Sequence, residues 1–290
     1  MPVLDPTLTR QPTATPLALW HLLSLDAPTV AVLWTSFIAA SVGVTLPLTS
    51  LLSMALAVWM LYAADRLLDA RHLLTNPLHT GDLEQRHRFH HRHRSAFLTG
   101  ILIASVALAI LIPRLSPEAI HLDLALGSLL AGYFLLIHVT GSAHRLPKEI
   151  AVGLFFSAAV FIPTVARAPH LRPDLLPAAV LFALLCSLNC LFIYRWEHPA
   201  PTHKPDHHLH PLTRKALDHL RPLTLVLLSA ATAHTLRTHA ALTTAITLSA
   251  LLLLALDHLA THLHPVNLRA AADLALTTPL LFLPHLLRSS

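Results

Sequence analysis

Leu48-Thr-Ser-Leu-Leu-Ser-Met-Ala-Leu-Ala-Val-Trp-Met-Leu-Tyr62-Ala-Ala-Asp65-Arg66-Leu-Leu-Asp69-Ala-Arg71 is an apolar run that ends in an acidic and basic cluster. The run is long enough to cross a hydrocarbon layer as a helix, which takes about 20 residues. Asp65 and Asp69 lie four residues apart and therefore share one helix face, with roughly 6 Å between their Cβ atoms. They fall where such a helix meets water. Acids near an apolar span are costly and mark functional positions by default. Two adjacent carboxylates with Arg66 and Arg71 beside them suit a divalent cation held against a phosphate. The plainer alternative is a helix end whose acids are neutralised by those arginines.

Working outward, the same kind of run recurs through the 290 residues. Hydrophobic residues make up 54% of the chain and charged residues 12%, with a mean hydropathy of +0.60. A soluble domain carries about twice that charge. The pattern predicts an all-α integral membrane protein of about nine spans, near 28–48, 50–68, 95–113, 121–140, 149–166, 175–194, 222–236, 239–256 and 270–287. Residues 1–16, rich in Pro and Thr, are expected to be a disordered tail. Residues 17–290 are expected to form one transmembrane domain, opened by an interfacial helix over 17–25 with Trp20 at headgroup depth. No removable signal peptide is expected. Many of the 22 prolines fall at span ends, where they stop a helix cheaply. Cys186 and Cys190 share a face of one apolar run and read as small core residues, not as a disulfide framework.

Nine spans place 15 of the 20 lysines and arginines on the side of the N-terminus and 5 on the other. This asymmetry predicts a cytoplasmic N-terminus and an outer C-terminus, in the cytoplasmic membrane. It also accounts for the basic balance without nucleic acid. Two long polar loops, 69–94 and 195–221, lie four spans apart. They suggest a pseudo-repeat of spans 1–4 and 5–8, with span 9 additional.

Three other groups stand out. Asn189 to His198 ends span 6 and carries Asn189, Tyr194 and Glu197 at the position matching Asp65–Asp69; an aromatic-belt terminus is the alternative. Gln85 to Arg94 interleaves arginines with His87, His90, His91 and His93, and a second group holds His203, His207, His208 and His210. Both read as basic loops against anionic headgroups, with metal binding as the alternative. Arg269 and Asp273 stand four residues apart and read as an ion pair at a helix seam.

The span number, the long loops after spans 2 and 6, and the Asp-rich end of span 2 together resemble the UbiA-type intramembrane prenyltransferases. The first motif of that superfamily reads N-D-x-x-D-x-x-x-D, often with Arg after the second Asp. Asp65, Arg66 and Asp69 match it, whereas Leu61-Tyr62 replaces the leading Asn-Asp. The second motif is degenerate, with Asn189 and Glu197 as nearest counterparts and Asp206 farther along. Arg145, Lys148 and Gly153 loosely match a basic and glycine signature before span 5. The resemblance implies a helical bundle with a central cavity open to lipid. It implies Mg²⁺ held at Asp65 and Asp69, and transfer of an isoprenyl group from a diphosphate donor to a lipophilic acceptor. Asp65 and Asp69 would be catalytic. Arg66, Arg71, Lys148, Asn189, Tyr194 and Glu197 would contact substrate. The alternative is a non-catalytic relative that binds a lipid or partner, or a metal-handling protein that uses its histidines.

Overall fold

A computed structural model describes residues 16–74, 89–140, 147–198, 210–235, 240–263 and 265–282. Helices α1 (Pro16–Leu22), α2 (Asp26–Ser41), α3 (Leu48–Leu74), α4 (Arg94–Leu111), α5 (Pro117–Thr140), α6 (Lys148–Arg167), α7 (Arg172–Glu197), α8 (Pro211–Asp218), α9 (Leu220–Thr235), α10 (Ala240–Leu259) and α11 (Pro265–Ala275) account for nearly all of them, and no strand occurs among them. The tail expected at 1–16 lies outside the described residues except for its last position.

Among the described residues, six helical segments are long and apolar enough to cross a membrane: 48–68, 94–114, 117–136, 148–167, 169–197 and 240–262. These match six of the nine expected spans, and the protein is an all-helical membrane protein. Of the other three, two are shorter than expected, and α9 is as short as its expected span of 222–236. Helices α2 and α9 have 16 residues each and α11 has 11. At 1.5 Å per residue, 16 residues rise about 24 Å, short of the ~30 Å hydrocarbon core. Local chemistry explains two of these ends. Helix α2 stops before Gly43, whose φ of +69° is a left-handed conformation that glycine adopts without strain. Pro47 then precedes α3. After α11 the chain tightens into a 3₁₀ turn around Pro279.

Burial sorts the helices. Helix α2 is apolar around most of its surface and is buried on nearly every side, as such a helix must be. Its Trp34 packs on Phe182 of α7, ring centroids 4.3 Å apart, and donates from Nε1 to the Leu276 carbonyl at 2.7 Å. Helix α7 is the hub, packed against α6, α9, α10 and α11. Helices α4 and α5 lie at the periphery. Leu98, Leu102, Ile103 and Val106 of α4 and Leu124 and Leu129 of α5 are exposed, a surface suited to lipid.

The seam between α6 and α7 is made of small residues. Gly153 and Ser157 face Ala179, Ala183 and Ser187, and the Ser157 hydroxyl donates to the Ala179 carbonyl at 2.8 Å. Small residues of this kind let membrane helices approach closely.

Candidate functional site

The charges gather at one end of the bundle. There the C-terminal parts of α3, α7 and α10 meet the N-terminal ends of α2, α6, α9 and α11. Lys148 Nζ of α6 lies 3.6 Å from Asp65 Oδ1 of α3. Arg269 Nη1 of α11 donates to Glu197 Oε1 of α7 at 2.6 Å. Arg195 and Arg221 both reach the buried Asp257 of α10, which also accepts from Trp196 Nε1 at 3.2 Å. The ends of spans 2 and 6, distant in sequence, are thus brought to the same end.

Beneath this rim lies a buried polar network that reading the sequence missed. Arg66 is 4% exposed. Its Nη2 donates to Asp26 Oδ2 at 2.8 Å, and its Nη1 donates to the His21 carbonyl. His21 Nδ1 lies 2.7 Å from the same Asp26 oxygen. A carboxylate only accepts, so Nδ1 carries the hydrogen. Asp26 Oδ1 accepts from the Ala27 amide at 3.0 Å. Asp273 Oδ2 of α11 stands 3.8 Å from His21 Nδ1. The signal for Asp26 was present in the sequence: a lone acid at the start of an apolar helix that has no adjacent basic residue to neutralise it.

His21, Asp26 and Asp273 present ligand atoms within 4.8 Å of one another, the spacing of a metal site. The guanidinium of Arg66 already occupies the Asp26 oxygen, and a second arginine, Arg269, stands close by. Two fixed cations disfavour a third, so the cluster is an ion network and not a metal centre.

Burial holds His21 neutral, with its pKa lowered to about 4. The bond from His21 and the charge of Arg66 hold Asp26 well below the usual carboxylate range, against the opposing effect of burial. The unfolded chain therefore binds more protons than the folded one between about pH 4 and 6.5, so stability rises with pH through that window. The contribution is complete above pH 6.5 and is lost as pH falls toward 4. For His21 it amounts to roughly 3 kcal/mol. Thermal unfolding in detergent at pH 7 and pH 5 is expected to show a lower midpoint at pH 5, and His21→Gln should flatten most of the difference.

The sequence-predicted residues are distributed unevenly over this site. Asp65 is half-buried at the rim, with the exposed Lys148 beside it. Arg66 is withdrawn into the buried network and does not face the rim, because Asp26 and the His21 carbonyl take its guanidinium. Asp69 follows one turn after Asp65 in α3 and Arg71 two residues later; their side chains lie outside the described set. Asn189 is buried. Tyr194 stacks on His198 at 4.4 Å. Glu197 is paired with Arg269. The expected Arg269–Asp273 pair gives way to this arrangement, in which Arg269 reaches across to α7. Of the histidine-rich stretch, His90 is fully buried, 3.4 Å from the Ser24 hydroxyl and packed on Phe97, so this part is not a solvated loop. His87, His203, His207, His208 and Asp206 lie outside the described residues.

A small, open-mouthed cavity of about 30 Å³ lies between α2, α3, α6, α7 and α11. Its walls include Tyr62, Val152, Phe156, Asn189, Cys190 and Asp273. Tyr62 precedes Asp65 by three residues and Val152 follows Lys148 by four. The rim pair thus stands one helical turn beyond the cavity walls. Comparison with family models, with curated proteins and with solved structures finds no match to this chain.

Proposed function

We propose that this chain is a membrane-embedded transferase of the UbiA type, moving an isoprenyl group from a diphosphate donor to a lipophilic acceptor at the basic end of the bundle. The supporting observation is the meeting of Asp65 and Lys148 one turn beyond a mostly apolar cavity lined by Tyr62 and Asn189. An acid and a base at the mouth of an apolar space suit a ligand with a charged head and a hydrocarbon tail. In this reading the basic end faces the cytoplasm.

The donor set fits one Mg²⁺. Asp65 and Asp69 share a helix face, and Mg²⁺ is commonly held by one or two carboxylates, with waters and phosphate oxygens completing its shell. When bound, the ion would neutralise charge on the departing diphosphate. A second carboxylate set does not fit the described residues, since Asn189 is an amide and Glu197 is committed to Arg269. Lys148 takes the diphosphate role that the sequence assigned to Arg66.

Asp65→Asn is expected to lower Mg²⁺-dependent affinity for an isoprenyl thiodiphosphate about tenfold or more, as loss of one charged ligand does. Stability should change by about 1 kcal/mol or less, because the Lys148 pair is solvent-exposed. Calorimetry of both proteins with and without Mg²⁺ decides the matter. Equal affinities in all four titrations would sink the proposal.

A second reading, a non-catalytic relative that binds a lipid, is favoured by the internal commitment of Arg66 and Glu197. It forecasts donor binding without release of diphosphate.

A further inference from the structure

The polar end of the cavity holds an acceptor without a donor and a carboxylate without a close arginine contact. Asn189 is 5% exposed and its Oδ1 has no hydrogen-bond partner. Its side chain also hydrogen-bonds Asp273. The carboxylate can only accept, so the amide nitrogen makes that bond and leaves Oδ1, beside the cavity wall, without a donor. An unpaired buried acceptor of this kind costs about 1–3 kcal/mol unless something supplies a donor.

The charges are unequal too. Three carboxylates (Asp26, Glu197 and Asp273) share the network with two guanidiniums and a neutral histidine. Arg66 is committed to Asp26 at 2.8 Å and Arg269 to Glu197 at 2.6 Å. Asp273 lies 3.8 Å from the neutral ring of His21. Asp273 is partly buried, its side chain 18% exposed, and it feels the charges of Arg66 and Arg269 without a close contact to either, so a cation in direct contact would stabilise its carboxylate. Val30, Val152, Phe156 and Leu276 make much of the cavity wall apolar, with the Tyr62 side chain and Cys190 also on it.

We propose that the cavity binds a protonated primary amine carried on an apolar body, its N–H groups donating to Asn189 Oδ1 and the Asp273 carboxylate. An ammonium supplies three donors and a charge opposite to that of the carboxylate, whereas a hydroxyl supplies one donor and no charge. Two sources offer this chemistry at the depth of the rim: a free long-chain amine, and the ethanolamine head of a phospholipid. The inference does not rest on the transferase reading.

The test is thermal unfolding of the full chain in detergent, titrated with dodecylamine and, as the donor-poor control, with dodecanol. The amine is expected to raise the midpoint in wild type. Asp273→Asn, which keeps the shape and removes the charge, should weaken the apparent affinity about tenfold or more. The alcohol should shift both proteins equally and little. Asn189→Leu should act in the same direction; should it fail to fold, the Asp273→Asn comparison decides alone. An equal response to amine and alcohol, or a wild-type response in Asp273→Asn, overturns the proposal. Repeating the measurement in nanodiscs of phosphatidylethanolamine and of phosphatidylcholine separates the sources. A gain in the former that Asp273→Asn abolishes supports a lipid head. Equal midpoints, with the amine response intact, support a free amine.

Discussion

Arg66→Met is expected to destabilise the protein by about 3–5 kcal/mol, the cost of leaving a buried carboxylate without its partner. Arg66 fills its place between α1, α2 and α3 completely, with one nitrogen on Asp26 and another on the His21 carbonyl. Methionine keeps much of the volume and removes both bonds. Asp26 would then be charged with only a neutral histidine beside it. Loss of midpoint in thermal unfolding, followed by tryptophan fluorescence, measures the effect. The double variant Arg66→Met/Asp26→Leu removes both charges and should recover a large part of the stability, since a well-packed apolar pair is often as stable as a buried ion pair. If Arg66 instead served a diphosphate at the rim, the single variant would unfold like wild type and lose only ligand affinity. That result would reject the buried network as described.

Gly153→Val carries the second large effect. A Cβ at Gly153 would stand 2.1 Å from Ser187 Oγ, 2.6 Å from the Ala183 carbonyl and 2.7 Å from the Ser187 amide. Two of these three atoms belong to backbone and cannot rotate away. Even a methyl must push α6 off α7, and overpacking of this kind costs about 1–3 kcal/mol, more for the larger valine. Because Val152 and Lys148 ride on α6, the displacement should also separate Lys148 from Asp65. Gly153→Val is expected to lower the unfolding midpoint and weaken diphosphate binding together. Gly132→Val, where a Cβ meets nothing within 4 Å, is the control and should do neither. Equal midpoints for the two variants would mean that the α6–α7 seam is looser than drawn.

The amino-acid sequence by itself determined the membrane class and the helical fold, because apolar runs of about 20 residues leave the backbone no other way to satisfy its hydrogen bonds in lipid. It also placed six of the spans, and it singled out the end of span 2 and the end of span 6 as polar termini at one side. Asp65 was legible as a rim charge because it stands at a span boundary, and Lys148 was picked out through the family resemblance. Only the tertiary structure decided what the remaining residues do. Arg66 and Asp65 are neighbours in sequence, yet helical geometry turns them about 100° apart. One therefore faces α2 and is buried, while the other faces the rim. Asp26 and Asp273 are 247 residues apart, and no spacing rule links them; they meet because α2 and α11 both pack into the same corner beside α7. The lengths of α2 and α11 were likewise beyond composition, since a short apolar helix buried inside a bundle and a full membrane span have the same hydrophobicity. Burial, which is a property of neighbours, separates them.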